Sequence, residues 1–396
     1  MDPVRNPYAP GAGQRPPELA GRDGELAQFD VVLERVVRGR PERSLVLTGL
    51  RGVGKTVLLN ALRSKAIERL WGTGKIEARP DVSLRRPVAA ALHMAVRELA
   101  PRHRAPERIE EFLAVLKAFA LRSNPPDGKV RDRWQPGIDV PAATGRADSG
   151  DIEIDLVELL SDAASVATDV GAGIALFIDE MQDVAPDDVS ALCAACHELS
   201  QTGAPLIVVG AGLPHLPSVL SASKSYSERL FRYVRIDRLD RDAADHALLA
   251  PAEREDVAWT EEALAAMYAA SGGYPYFVQA YGKATWDLAP TSPIGADDVG
   301  VAAPEAESEL AVGFFGSRYE RATPAEREYM RTMAAIGDAE GSVATADVAA
   351  ELGRKPSSLS PARDSLIKKG LVYSAERGTI AFTVPHFGRY LRSQAT

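Results

Sequence analysis

One short stretch, Ser44–Leu59 (SLVLTGLRGVGKTVLL), constrains the chain more than any other. Leu45, Val46 and Leu47 read as an apolar strand, and Val57, Leu58, Ala61 and Leu62 as the first turns of a helix, with a glycine-bearing loop between them. The loop fits G-x-x-x-x-G-K-[ST] through Gly49, Gly54, Lys55 and Thr56. Glycines allow backbone N–H groups to turn inward around an anion, and the following helix offers its positive end to the same charge. The pattern predicts a loop that cradles the phosphates of ATP with Gly49, Gly52, Val53, Gly54, Lys55, Thr56 and Val57. Lys55 would reach the β- and γ-phosphates, and the Thr56 hydroxyl would ligate Mg²⁺.

A second segment, GIALFIDEMQD, carries the other half of such a site. Its apolar run Ile174–Ile178 reads as a fully buried parallel strand ending in Asp179-Glu180. Carboxylates at the C-terminal end of such a strand lie where open α/β sheets place their ligands. Asp179 is expected to hold the Mg²⁺ shell and Glu180 to polarise the attacking water. An acid directly beside the metal aspartate marks the ATPase branch that has an extra central strand. Further strands are expected at Lys75–Ala78, Pro205–Val209 and Phe231–Ile236, with helices between them, so the fold class is α/β with a three-layer core around a parallel sheet.

The chain's 396 residues suffice for two or three domains. A net charge of −9 argues against a protein that coats nucleic acid over its whole surface, while leaving room for a local basic patch. The N-terminal MDPVRNPYAPGAG has no apolar signal core, and no apolar run is long enough for a membrane span, which together point to a cytoplasmic protein. The only two cysteines spell a c-type haem motif, Cys193-Ala-Ala-Cys196-His197. Their helical spacing with Leu192, Ala195 and Leu199 instead reads as core packing.

The organisation expected along the chain is an extended arm over residues 1–16, then a phosphate-loop core over 17–238. Within the core, 101–150 is a variable insertion whose turn-rich part gives no functional signal. From Asp240 the pattern becomes helical (243–249, 260–271, 274–288, 304–321), which predicts a small helical lid over 239–318. Thr323-Pro324-Ala325-Glu326 is a capping box that opens a new helix. Helices over 323–336, 345–352 and 357–370, then strands 371–374 and 379–383, predict a winged helix-turn-helix over 319–396.

GRDGEL (21–26), GLRGVGKT (49–56), IALFIDEMQD (174–183), LIVVGAGLP (206–214) and SGGYPYFVQ (271–279) together resemble AAA+-type ATPases of the archaeal-ATPase and origin-initiator-like group and the related STAND ATPases. The resemblance covers about residues 17–290. It implies that Gly21 and Arg22 lie near the adenine, and that Tyr274 and Pro275, in the Gly273-Tyr274-Pro275 lid motif, face the nucleotide. It also implies that Arg229 acts as an arginine finger. Two departures bear on activity. The strand ending in Gly210-Ala211-Gly212 lacks a polar sensor residue, and no lid arginine is evident in the second sensor position. Both suit a slow nucleotide switch better than a motor.

Over residues 354–396, eight basic residues stand against two acidic ones, a balance of +6 in a chain of −9. This local sign reversal suggests a phosphate-facing surface, with DNA expected through residues 354–377. The sequence thus predicts an ATP- and Mg²⁺-dependent, slowly hydrolysing ATPase whose nucleotide state controls a DNA-binding winged helix, with self-assembly in the ATP state. The rival is a signalling or defence scaffold whose winged helix docks protein. A protein-remodelling motor fits less well, because the core shows no aromatic-hydrophobic pore loop such as Y-V-G.

Overall fold

The structure is a computed structural model and describes residues 1–122, 137–337 and 342–394. Helix α1 (Asp23–Val37) precedes strand β1 (Ser44–Thr48), and helix α2 (Lys55–Glu68) follows the glycine loop. Strand β2 (Gly72–Glu77) leads into helices α3 (Arg85–Leu99), α4 (Pro106–Leu121) and α5 (Ile152–Asp169). Strand β3 (Ile174–Asp179), helix α6 (Pro186–Thr202) and strand β4 (Leu206–Gly212) come next. Two short helices, α7 (Leu216–Ser223) and α8 (Ser227–Leu230), lead to strand β5 (Phe231–Arg235).

These strands form one five-stranded parallel sheet in the order β2-β3-β4-β1-β5. Strand β3 shows why both faces are covered. Ala175 and Phe177 join the core that contains Phe29, Leu33, Leu58 and Leu62 of α1 and α2. Ile174, Leu176 and Ile178 join the opposite core, with Leu92, Leu116, Leu159 and Leu192 of α3 to α6. Alternate residues point to opposite faces, and both faces are apolar, so the three-layer α/β sandwich follows. Cys193 and Cys196 are buried in the second core, as their spacing suggests.

Strand β2 starts at Gly72, ahead of the expected Lys75. Its glycines accommodate a closely packed helix: a Cβ on Gly72 or Gly74 would lie 2.6 Å from the carbonyl oxygen of Ala95 or Ala91 in α3. Of the turn-rich part of 101–150, residues 123–136 lie outside the described residues. The remainder is packed onto α4 and α5. Lys117 Nζ donates to the carbonyls of Ile138 and Val140, and Ser149 donates to the buried Asp155, which also pairs with Arg85 at 2.8 Å.

The next unit comprises helices α9 (Arg241–Glu253), α10 (Glu261–Ser271), α11 (Pro275–Leu288) and α12 (Ala296–Leu310). Helix α12 begins at Ala296, where Asp298 accepts from the Gly295 N–H at 2.8 Å, and it runs through Pro304 rather than starting there. A widened π turn, Ala311–Gly316, connects it to α13 (Ser317–Glu320). The N-terminal arm is strapped across this helical unit. Tyr8 is 3% exposed, donates to the Leu248 carbonyl at 2.7 Å, accepts from Trp259 Nε1 at 3.0 Å, and meets Trp259 and Trp286 edge-on.

The C-terminal unit contains helix α14 (Pro324–Ile336), strand β6 (Val343–Ala344), helices α15 (Thr345–Glu351) and α16 (Pro356–Lys368), strands β7 (Val372–Tyr373) and β8 (Thr379–Phe382), and helix α17 (Phe387–Ser393). The expected capping box is present, with Thr323 N–H donating to Glu326 at 2.7 Å. Strands β6, β8 and β7 make a small antiparallel sheet. Short β6 lies beyond the elements expected from sequence. Pro361 falls inside α16, where the carbonyl it leaves without a donor, that of exposed Ser357, can turn to water. Phe315 of the π turn stacks on Phe387 and Tyr390, and His386 packs on Phe277, so this unit shares one continuous core with the helical unit.

Replacing Tyr8 with alanine removes a buried ring and leaves Trp259 N–H and the Leu248 carbonyl without their partner. The expected cost is about 3 kcal/mol. It should appear as a lower thermal unfolding midpoint and faster tryptic cleavage after Arg5. An unchanged midpoint and cleavage rate would show that the arm is not anchored there.

Candidate functional site

The C-terminal ends of β1 and β3 open into a cavity of about 340 Å³ between the sheet, the helical unit and the arm. Gly49 N–H donates to the Gly212 carbonyl at 3.2 Å as the chain leaves β1. A Cβ at Gly49 would sit 2.2 Å from the carbonyl oxygen of Ile236, so no side chain fits there. Gly52 and Gly54 have φ of 84° and 89°, in the left-handed region that favours glycine. Gly52, Val53, Gly54, Lys55, Thr56 and Val57 all line the cavity.

Lys55 Nζ donates to the Gly49 and Leu50 carbonyls at 2.9 and 2.7 Å. Burial pushes its pKa down to about 8, against the opposing pull of Glu180. The Thr56 hydroxyl and the Asp179 carboxylate line the cavity together; burial raises the Asp179 pKa, against the opposing effect of Thr56. Residues from two different strand ends therefore meet at one point. Glu180 has a left-handed φ of 49° and a fully engaged carboxylate. Its Oε1 accepts from Arg51 Nη1 at 2.9 Å and its Oε2 from Gln182 Nε2 at 2.7 Å. Burial works to raise the Glu180 pKa, but Arg51, Gln182 and Lys55 outweigh it and hold it below the ordinary carboxylate value.

Arg22 lines the cavity from the loop before α1 and donates to the carbonyls of Val53 and Asp237 at 3.3 and 2.7 Å, and burial lowers its pKa. Gly21 is a turn residue beside it, outside the lining. Of the Tyr274-Pro275 pair, Pro275 lines the cavity. Tyr274 is 4% exposed, points into the core against Phe277 and His386, and lies outside the lining; its neighbour Tyr276 takes the cavity wall. Arg229 is exposed on α8 and lies near the opposite end of the sheet, because Phe231 aligns with Ser44 at the start of β1.

Three contributors were missed by sequence reasoning. The arm lines the cavity through Ala9–Gln14 and Pro16, and Ala9 N–H donates to Gln279 Oε1 at 3.2 Å. Arg51 occupies a variable position of the loop. Arg318 corrects the expectation that no lid arginine is present. It reaches the cavity from α13, donates to the Phe314 carbonyl, and lies 4.3 Å over the Phe314 ring, which stacks on Tyr276. Burial, and then the charges of Arg51 and Arg321, lower its pKa to about 10. The π turn adds residues to the helical register and turns Arg318 inward, which helical periodicity alone would not indicate.

At the loop end of the cavity, Lys55, Arg51 and Arg318 face Asp179 and Glu180, leaving an excess of positive charge. The glycine cradle, this cationic surplus and the Thr56–Asp179 pair fit a nucleoside triphosphate with Mg²⁺, a cation that takes few protein ligands and completes its shell with phosphate and water. Among the described residues no group of three or more His, Cys, Asp or Glu side chains forms another metal cluster.

The architecture is that of a P-loop ATPase fold, with a parallel sheet and the carboxylate pair one strand removed from the phosphate loop. Residues 18–209 match the AAA ATPase domain family, and residues 312–391 match a domain of unknown function (DUF8462). No curated protein matches the chain in sequence. Among solved structures, the chain is similar to the Walker-type ATPase PABY2304 of Pyrococcus abyssi, at 15% identity over 96% of this chain and 97% of that one, with a TM-score of 0.59. This is a likeness of fold. Weaker similarities include the Thermotoga maritima RuvB Holliday junction branch migration motor (18% identity, 93% and 96% covered, TM-score 0.46). Another is the Aeropyrum pernix Orc1 protein in complex with DNA (14% identity, 99% and 96% covered, TM-score 0.46).

Gly49→Ala forces the Ile236 backbone to move and should cost about 2 kcal/mol, or roughly 4–8 °C in the unfolding midpoint. Gly24→Ala, with open space around it in α1, should leave the midpoint unchanged or slightly higher. Differential scanning calorimetry distinguishes them, and equal midpoints would contradict the close approach.

Proposed function

We propose that the chain binds ATP with Mg²⁺ in this cavity, hydrolyses it slowly, and uses the nucleotide state to control its C-terminal unit. The observation that carries this reading is the convergence of Lys55, Thr56, Asp179 and Glu180, from separate strand ends, on one cationic glycine cradle. Lys55, now turned onto the loop carbonyls, would exchange them for the β- and γ-phosphates. Thr56 and Asp179 would hold Mg²⁺, which when bound neutralises charge developing on the phosphate oxygens. Glu180 would orient and polarise the attacking water, and Arg318 and Arg51 add positive charge at the same end. Residues 9–16 and Tyr276 supply the wall on which the base would lie, with Arg22 bracing the loop before α1. The engaged state of Glu180 and the sensorless end of β4 support slow turnover. Arg229, exposed and remote from its own cavity, would serve a neighbour's site in an assembled ATP state.

The C-terminal unit is read as a winged helix, with α16 as the recognition helix and the β7–β8 turn as the wing. Residues 353–358 and 374–378 are exposed, which supports a DNA-facing surface. Its charge surplus is smaller than the sequence implies. Arg354 pairs with Glu328, Arg363 with Asp364, Lys369 with Glu326 and Arg389 with Glu307, three of these acids lying outside residues 354–396. That compensation favours the second reading, in which this unit docks protein within a nucleotide-switched scaffold.

Lys55→Ala should abolish ATP binding, whereas Glu180→Gln should retain binding and reduce turnover by about 100-fold or more. Equilibrium binding and phosphate release on both variants provide the check, and wild-type turnover in Glu180→Gln would remove Glu180 from the role. For DNA, the full chain should bind duplex with a steep salt dependence between about 50 and 200 mM, and replacing Lys355 and Arg377 together should lower the log–log slope by about two. Fluorescence anisotropy measures this. No binding at the lowest salt would leave protein docking as the account of the unit.

A further inference from the structure

The C-terminal unit is hydrogen-bonded to the phosphate loop through Arg51, and Arg51 also holds the proposed water-activating acid. Arg51 N–H donates to the Thr383 carbonyl at 2.8 Å, and Arg51 Nε points to the Gly370 carbonyl at 3.4 Å. The Thr383 hydroxyl donates back to Gly370 O at 2.6 Å, which fixes that carbonyl between α16 and β8. From the same guanidinium, Nη1 reaches Glu180 Oε1 at 2.9 Å, with the two side chains 24% and 30% exposed. Gln182 holds the other carboxylate oxygen at 2.7 Å.

We propose that Arg51 is a positioning residue shared by the two units: the docked C-terminal unit fixes Arg51, Arg51 keeps the Glu180 carboxylate engaged, and undocking frees it. The inference rests on Glu180 as the water-activating group. Its physical basis is occupancy. A carboxylate with an arginine on one oxygen and an amide on the other has fewer lone pairs open to water, and its ion pair must break before it can act. The link is reciprocal: whatever draws the Arg51 guanidinium toward phosphate also removes a donor from the Gly370 carbonyl, so nucleotide binding and C-terminal docking must bias one another. Lys55, Arg318, Asp179 and Asp183 also face Glu180, but none of them joins it to the C-terminal unit.

Gly370 offers a way to break the contact without touching the cavity lining. It has a φ of 61°, and a Cβ there would lie 2.8 Å from Arg51 Nη2. Gly370→Ala therefore pushes the guanidinium off Glu180 while leaving both residues in place. Turnover by the full chain should rise about fivefold, the scale of one partly exposed ion pair, and ATP affinity should rise with it, because the weakened docking contact no longer competes for Arg51. Adding Glu180→Gln to Gly370→Ala should abolish the gain. Without nucleotide, the peptide containing the Arg51 amide should exchange hydrogen faster in Gly370→Ala than in wild type. The proposal is overturned if Gly370→Ala leaves turnover unchanged or lower, or if amide exchange in the loop does not respond to Gly370→Ala. Wild-type turnover in Glu180→Gln alone would instead overturn the assignment of Glu180 on which it rests.

Discussion

Everything at the site depends on strand β4 lying between β1 and β3. Val46 pairs with Gly210 and Gly210 with Ile178, so the phosphate loop leaves one strand end and the carboxylate pair leaves another, separated by a full strand. That spacing brings Thr56 at the start of α2 and Asp179 to the wall of one cavity. The strand order thus converts two motifs more than 120 residues apart into one site. It is also held firmly, since every residue of β3 and β4 is buried and both sheet faces are closed by helices.

The parts of this arrangement legible in the sequence are those encoded locally. A continuous apolar run can only be a strand buried on both faces, and the glycine spacing of the loop has few other uses. Gly49, Gly52, Gly54, Lys55, Thr56, Asp179 and Glu180 were placed together on that basis. Where local signals have two meanings, reading failed. Pro304 looked like a helix start and is an interior residue of α12, because its neighbours pack well enough to carry the chain through it. The strand expected from Lys75 begins at Gly72 instead, because Gly72 and Gly74 allow close packing against α3.

What the sequence did not reveal comes from other units that fold back. The arm, with its proline and glycine content, reads as loose chain, yet one tyrosine anchors it across the helical unit and its next residues close the cavity. Arg318 lies at the end of a long helical stretch, directly after a π turn that breaks the helical period, and lines the cavity. Tyr274 shows the converse: its motif suggested the cavity, but the ring packs into the core and Pro275 and Tyr276 form the wall. Charge reading failed for the same reason. The basic count over residues 354–396 omits Glu307, Glu326 and Glu328, acids that tertiary contacts bring to it.

The cavity is thus a joint made by four separated parts of the chain: the arm, the phosphate loop, the start of α11 and the π turn with α13. Amide hydrogen exchange on the full chain, with and without ATP and Mg²⁺, tests that claim most directly. The account predicts slower exchange, saturating together with nucleotide, in residues 9–16, 49–57, 274–279 and 313–318. Protection confined to the phosphate loop, or absent from all four stretches at saturating nucleotide, would contradict it.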